Sequence, residues 1–190
     1  MSGARTMHEI RWHGRGGQGA VTSAKIFAYA AFRSGFAGVT SQPSFGAERR
    51  GAPITASTRL ADEPIRILSQ VTAPDIIVVL DDSLLAVANA TAGMKPGGMV
   101  VVNTTRGAAE LGLRDDLKVV TSDVTGAAQA VDLIVGGQPM VSTAILGAFA
   151  RATGLVTMES VEAAIRHAFS GSAADKNVDA AKIAFECTRA

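Results

Sequence analysis

The chain has 190 residues, enough for one domain with a real core, and it is apolar for its size, with 47% hydrophobic and 18% charged residues and a mean hydropathy of +0.24. A net charge of +1 excludes the clustered basic excess of a nucleic-acid protein, and the single cysteine, Cys187, excludes an internal disulfide, a CxxC motif and a four-thiolate cluster. No apolar run approaches the roughly 18 residues that a membrane helix needs, so the missing charge predicts surface hidden against other subunits.

At the start, Met1 to Arg11 has no apolar centre of a secretory signal, which points to the cytoplasm. His8 to His13 predicts a first strand with Ile10 and Trp12 on one side. The run Gly14-Arg15-Gly16-Gly17-Gln18-Gly19 follows, and Ala20 to Ser34 then predicts a helix with a broad apolar face, stopped at Gly35. A short strand, Ala37 to Ser41, leads into a long loop, Gln42 to Gly51, which has turn residues and charge but no period. Alternation at Ile54, Ala56 and Thr58, and again at Ile65, Ile67 and Ser69, predicts an antiparallel hairpin around Ala61 to Pro64.

Ile76 to Leu80 is a continuous apolar run, expected of a central parallel strand covered on both faces. Asp81-Asp82-Ser83 is expected to cap a helix running to about Thr91. Met99 to Asn103 and Leu117 to Thr121 predict two further strands. Helices are expected at Met140 to Ala152, Met158 to Phe169 with Thr157 as N-cap, and Ala174 to Cys187. Strands alternating with helices predict a Rossmann-like three-layer α/β domain, a mostly parallel sheet plus an antiparallel hairpin, with residues 1–190 as one unit.

Gly14, Gly16 and Gly19 satisfy GxGxxG between a strand and a helix, where glycines allow a tight turn and the helix N-terminus favours an anion. A dinucleotide site also wants an acid about 20 residues on, and Phe36 to Gln42 has none. A nucleotide P-loop wants Lys and Ser/Thr after the last Gly, where Ala20 and Val21 stand. The loop is therefore either a packing turn or a cradle for phosphate, carboxylate or a partner's loop, with Arg15 favouring an anion. Glu48-Arg49-Arg50-Gly51 is a second candidate, because adjacent guanidiniums fork onto phosphates or partner carboxylates. His8, His13 and His167 read as satisfied or exposed side chains.

These segments carry a resemblance. Gly14 to Gly19 resembles the GxGGQG signature of the gamma subunit of the pyruvate:ferredoxin oxidoreductase, or 2-oxoacid:acceptor oxidoreductase, family. Ser44 to Pro53 is similar to its aromatic–Gly–x–Glu–x–Arg–Gly segment, Ile145-Leu146-Gly147-Ala148 to its late LGA helix, and Lys176-Asn177 to its C-terminal Asn. Gln138-Pro139-Met140 departs from an Asn-rich segment common in relatives, and no role is carried over there.

The resemblance implies a complex in which alpha and beta subunits hold thiamine diphosphate and Mg²⁺ and a ferredoxin-like delta subunit holds [4Fe–4S] clusters. Ferredoxin or an NAD-linked flavoprotein takes the electrons, and coenzyme A takes the acyl group. This chain would bind none of these cofactors alone and would serve assembly and coenzyme A access through Gly14, Arg15, Gly16, Gly17, Gln18, Gly19, Glu48, Arg49, Arg50 and Gly51. Pyruvate, 2-oxoisovalerate and phenylglyoxylate are all open as substrates. The competing reading is a stand-alone nucleotide- or anion-binding regulatory module.

Overall fold

A computed structural model describes residues 7–44, 50–67 and 69–189. The first strand, β1 (Met7–Arg15), is followed by α1 (Ala20–Arg33), β2 (Gly38–Pro43), β3 (Pro53–Ala61), β4 (Ile76–Val79) and a single helical turn, α2 (Leu84–Val87). Then come β5 (Met99–Asn103), a 3-10 turn (Ala108–Leu111), β6 (Lys118–Ser122), α3 (Val124–Ala130), the short strands β7 (Ile134–Val135) and β8 (Gln138–Pro139), and three helices, α4 (Val141–Thr153), α5 (Met158–Ala168) and α6 (Gly171–Cys187).

The main sheet has the order β2-β3-β1-β4-β5-β6. β1, β4, β5 and β6 pair in parallel, and β3 runs against both of its neighbours, β1 and β2. The expected α/β fold with an antiparallel hairpin is the one observed. Alternation along β1 does what the sequence predicts: Ile10 and Trp12 are wholly buried under the helices. Trp12, Phe27 from α1 and Phe149 from α4 form an aromatic cluster with centroids 4.5–5.6 Å apart. Across the sheet, Ile77, Val79, Val100 and Val102 pack beneath Leu84, Ala90, Met94 and Leu117, so that layer is built from short turns.

The hairpin has a different partner from the one predicted. β3 joins β2, not residues 65–69. With β1 on one edge and β2 on the other, β3 has no free ladder left to offer. The carbonyl of Ser69 instead accepts from Arg59 Nη1 at 2.6 Å. The helix expected to reach Thr91 ends after Val87. Asn89 turns to φ 43°, and the carbonyls of Ala90 and Ala92 accept from Arg11 Nη2 at 3.0 and 2.5 Å rather than from a next helical turn. Besides the 3-10 turn, α3 went unpredicted, whose signal was Asp123 as N-cap accepting from Gly126 N, and so did the β7–β8 hairpin, whose signal was Gly136-Gly137.

Candidate functional site

From β1 the chain crosses through α1 to one side of the sheet, and from β4 it moves on to β5 on the other side. The carboxyl ends of β1 and β4 are therefore a topological switch point, where open α/β sheets form ligand crevices. A cleft of about 790 Å³ lies there, floored by the ends of β4 and β5 and bounded by the glycine loop, the start of α3, the β7–β8 hairpin and the start of α4. That volume is within the roughly 300–1,000 Å³ of small-molecule sites.

The glycine loop divides into packing and cleft positions. A side chain on Gly14 would meet Ala20 Cβ at 3.0 Å, and one on Gly19 would meet Ser142 Cβ at 2.8 Å while holding φ 82°. Both glycines let elements approach, the first strand to helix and the last loop to α4. Gly17 has φ 98° with nothing within 4 Å of the corresponding position, so its backbone stands open beside the cleft. The N-cap of α1 is Gly19 and that of α4 is Met140, and neither helix has a side-chain cap or an acidic residue in its first turn. Each leaves first-turn N–H groups unmet by side chains.

The second candidate segment reaches this loop through its backbone. Gly16 N donates to Ala52 O at 2.8 Å and Gly51 N donates to Gly16 O at 3.0 Å. Arg50 and Gly51 thereby line the same cleft as Arg15, Gly16, Gly17 and Gln18. The reason is topological. β2 runs in the direction of β1, although β3 stands between them, so the loop after β2 rises at the same edge. Glu48 and Arg49 lie outside the described residues. The same strand order removes the place where a dinucleotide-binding acid would stand, since the strand after α1 is not the neighbour of β1.

Arg15 does not stand free. Its Nε donates to Asp81 Oδ2 at 3.0 Å, its Nη1 to Gly51 O at 3.1 Å and its Nη2 to Ser83 Oγ at 2.7 Å. Asp81-Asp82-Ser83 was expected to cap a helix, and Ser83 does stand at the N-cap, but it makes no side-chain cap bond. Asp81 is turned to the glycine loop instead. Burial opposes its charged form, but hydrogen bonds from Ser83, Gln18 and Arg15, with the Arg15 charge, hold its carboxyl below the usual range. Asp82 Oδ2 accepts from Thr104 Oγ1 at 2.8 Å, and Asn103 bridges Leu80 O and Thr125 Oγ1, both at 2.9 Å, fixing the floor. Asp81, Asn103, Thr104 and Thr125 are cleft residues that sequence reasoning did not select. Their one signal was position, at the carboxyl ends of strands or a helix start.

The histidines stand away from the cleft lining. His13 is buried behind it and accepts from Arg11 Nε at 3.0 Å, and burial, with the Arg11 charge, pushes its pKa down to about 4. His167 stacks on Tyr29 at 4.2 Å. Gly147 and Asn177, from the late motifs, lie in the helical core. Asn177 Oδ1 accepts from Thr143 Oγ1 at 2.5 Å, joining α6 to α4. Gln138, Pro139 and Met140 line the cleft. No helix among the described residues is long and apolar enough to cross a membrane.

Comparison with known proteins gives a consistent result. The family model of pyruvate ferredoxin/flavodoxin oxidoreductase matches residues 9–187. The chain is 52% identical over 185 residues to the pyruvate/ketoisovalerate oxidoreductases common subunit gamma of Thermococcus kodakarensis, covering 96% of this chain and 97% of that one. It is 49% identical over 182 residues to the pyruvate synthase subunit PorC of Methanothermobacter marburgensis, covering 95% and 97%. Among solved structures, the pyruvate oxidoreductase subunit PORC of Thermotoga maritima superposes with a TM-score of 0.81 at 32% identity, covering 96% and 97%.

Proposed function

This chain belongs to the pyruvate ferredoxin/flavodoxin oxidoreductase family as a gamma subunit, and from that premise we propose that its cleft receives the phosphates of coenzyme A in the assembled 2-oxoacid oxidoreductase. The reading of a stand-alone nucleotide module is not favoured. The proposed enzyme works in the cytoplasm. Its alpha and beta subunits carry thiamine diphosphate and Mg²⁺, its delta subunit carries [4Fe–4S] clusters, and ferredoxin or an NAD-linked flavoprotein is the acceptor. Coenzyme A supplies the thiol that accepts the acyl group. This chain's part is to bind and orient, as one domain over residues 1–190.

One observation carries the reading: the open backbone at Gly17, Arg50 and the start of α4, which has no side-chain cap, line a single cleft with the glycine loop that leads into α1. A diphosphate or 3′-phosphate there gains charge-assisted hydrogen bonds from Arg50 and the favourable field of α1 and α4. Ile134 and Val135, exposed at 46% and 61% on the rim hairpin, give the same edge an apolar border suited to partner contact.

Arg50→Ala in the assembled complex tests it. The KM for coenzyme A should rise about ten- to a hundredfold, the size of a lost charge-assisted contact of roughly 1.5–3 kcal/mol. Coenzyme-independent exchange of CO₂ at the thiamine centre should persist. A complex that dissociates with both activities lost would make Arg50 an assembly contact, and an unchanged KM would refute the binding role.

A further inference from the structure

Asp81 stands two residues after β4 beside the glycine loop, and its carboxylate joins that loop to Ser83 on its own segment. Oδ2 accepts from Arg15 Nε at 3.0 Å and from Gln18 Nε2 at 3.1 Å. Oδ1 accepts from Ser83 N at 3.1 Å and from Ser83 Oγ. The loop closes on itself through the same residues, since Arg15 N donates to Gln18 Oε1 at 2.7 Å and Gln18 N donates to Arg15 O at 2.9 Å. The Gln18 amide thus has a fixed orientation: its oxygen meets a backbone N–H, so its nitrogen must find an acceptor. Asp81 is that acceptor, and it stands just past the end of the neighbouring parallel strand, across the switch point.

We infer that Asp81 is a positioning residue that holds the glycine loop in its binding geometry, with Arg15 as its strut and not as a ligand of the anion. This rests on the reading of the cleft as the coenzyme A site. The charges give the reason. Arg15 and Asp81 form an ion pair whose side chains are only 29% and 23% exposed, so the pair presents little net charge to the cleft. Arg50 and the helix starts are left to attract the anion. The carboxylate also has a requirement that its amide isostere cannot meet. An Asn at this position would offer one oxygen, either to Arg15 and Gln18 or to Ser83, and would turn an NH₂ group toward donors on the other side.

The experiment is a double-mutant cycle of Asp81→Asn and Arg15→Ala in the assembled complex, with Arg50→Ala as control. Arg15→Ala alone strands a carboxylate facing the incoming anion, and the KM for coenzyme A should rise about tenfold or more, with kcat nearly unchanged. Asp81→Asn should raise it by roughly fivefold through the loosened loop. The double variant should be no worse than Arg15→Ala, because the stranded charge is gone. Hydrogen exchange of the amides of residues 16–19 in the Asp81→Asn complex should quicken several-fold while α4 and α6 keep their protection, a readout that needs no ligand. A lower KM in Asp81→Asn would mean that freed Arg15 binds the anion directly, and would overturn the inference. Unchanged exchange at residues 16–19 would overturn it as well. If Arg50→Ala and both other variants all leave the KM unaltered, the coenzyme A reading fails, and the exchange result alone decides whether Asp81 holds the loop.

Discussion

The carboxyl edge of the sheet and the helical face behind it both carry family signatures, but with opposite physical character. At the edge, Gly17 and Arg50 keep open space around them or stand exposed, and the polar side chains of Arg15, Gln18 and Asp81 bond to one another. In the helical face, a Cβ on Gly147 would stand 1.8 Å from Ala181 O, and Asn177 is buried against Thr143. Gly14 and Gly19 side with the helical face, although their motif belongs to the edge. A signature residue is therefore not by itself a site residue. What separates the two classes is whether the space beside it is filled by the protein.

The largest effect should come from filling the closed space. Gly147→Ala forces α4 from α6 and should cost about 3 kcal/mol, a fall in Tm of about 10 °C for a chain of this length. Thermal unfolding of the purified complex measures it, and the fraction that remains folded should keep its KM for coenzyme A. An unmoved Tm together with a raised KM would assign Gly147 to the cleft and erase the distinction between the regions.

A nearly equal but pH-limited effect should come from His13, in the strand that leads to the edge. Its folded pKa of about 4 lies below the ordinary 6.5, so between these values the unfolded chain takes up a proton that the folded chain refuses. Stability is then lost as pH falls from about 6.5 toward 4, by roughly 3 kcal/mol at 1.36 kcal/mol per unit. His13→Gln keeps an acceptor for Arg11 and should flatten this part of the curve. Denaturant unfolding between pH 4 and 7 checks it, and identical slopes in the two proteins would show that His13 is protonated in the folded chain.

How much of this was legible depended on whether a residue's partners were near in sequence. Strand alternation at Ile10 and Trp12, the apolar run Ile76 to Leu80 and the Thr157 cap are local, and each is found where the pattern predicts. The partner of β3 was missed because residues 65–69 alternate and follow it directly, whereas the strand it pairs with, β2, precedes it across a long loop. Asp81 was read as a cap because its neighbours in sequence suit one. Its actual partners, Arg15 and Gln18, are 66 and 63 residues away. Gly16 meets Gly51 and Ala52 because β2 runs in the direction of β1 with β3 between them, an order of three strands that no local pattern carries.

In the proposed function, coenzyme A meets this chain at the carboxyl edge and nowhere in the helical face. Hydrogen exchange of the assembled complex, with and without coenzyme A, tests that most directly. The amides of residues 14–20 and 50–52 should become protected on addition of coenzyme A, and those of residues 141–187 beyond the first turn of α4 should not change. Protection confined to the helical face, or absent from this chain while it appears on the partner subunits, would place coenzyme A elsewhere.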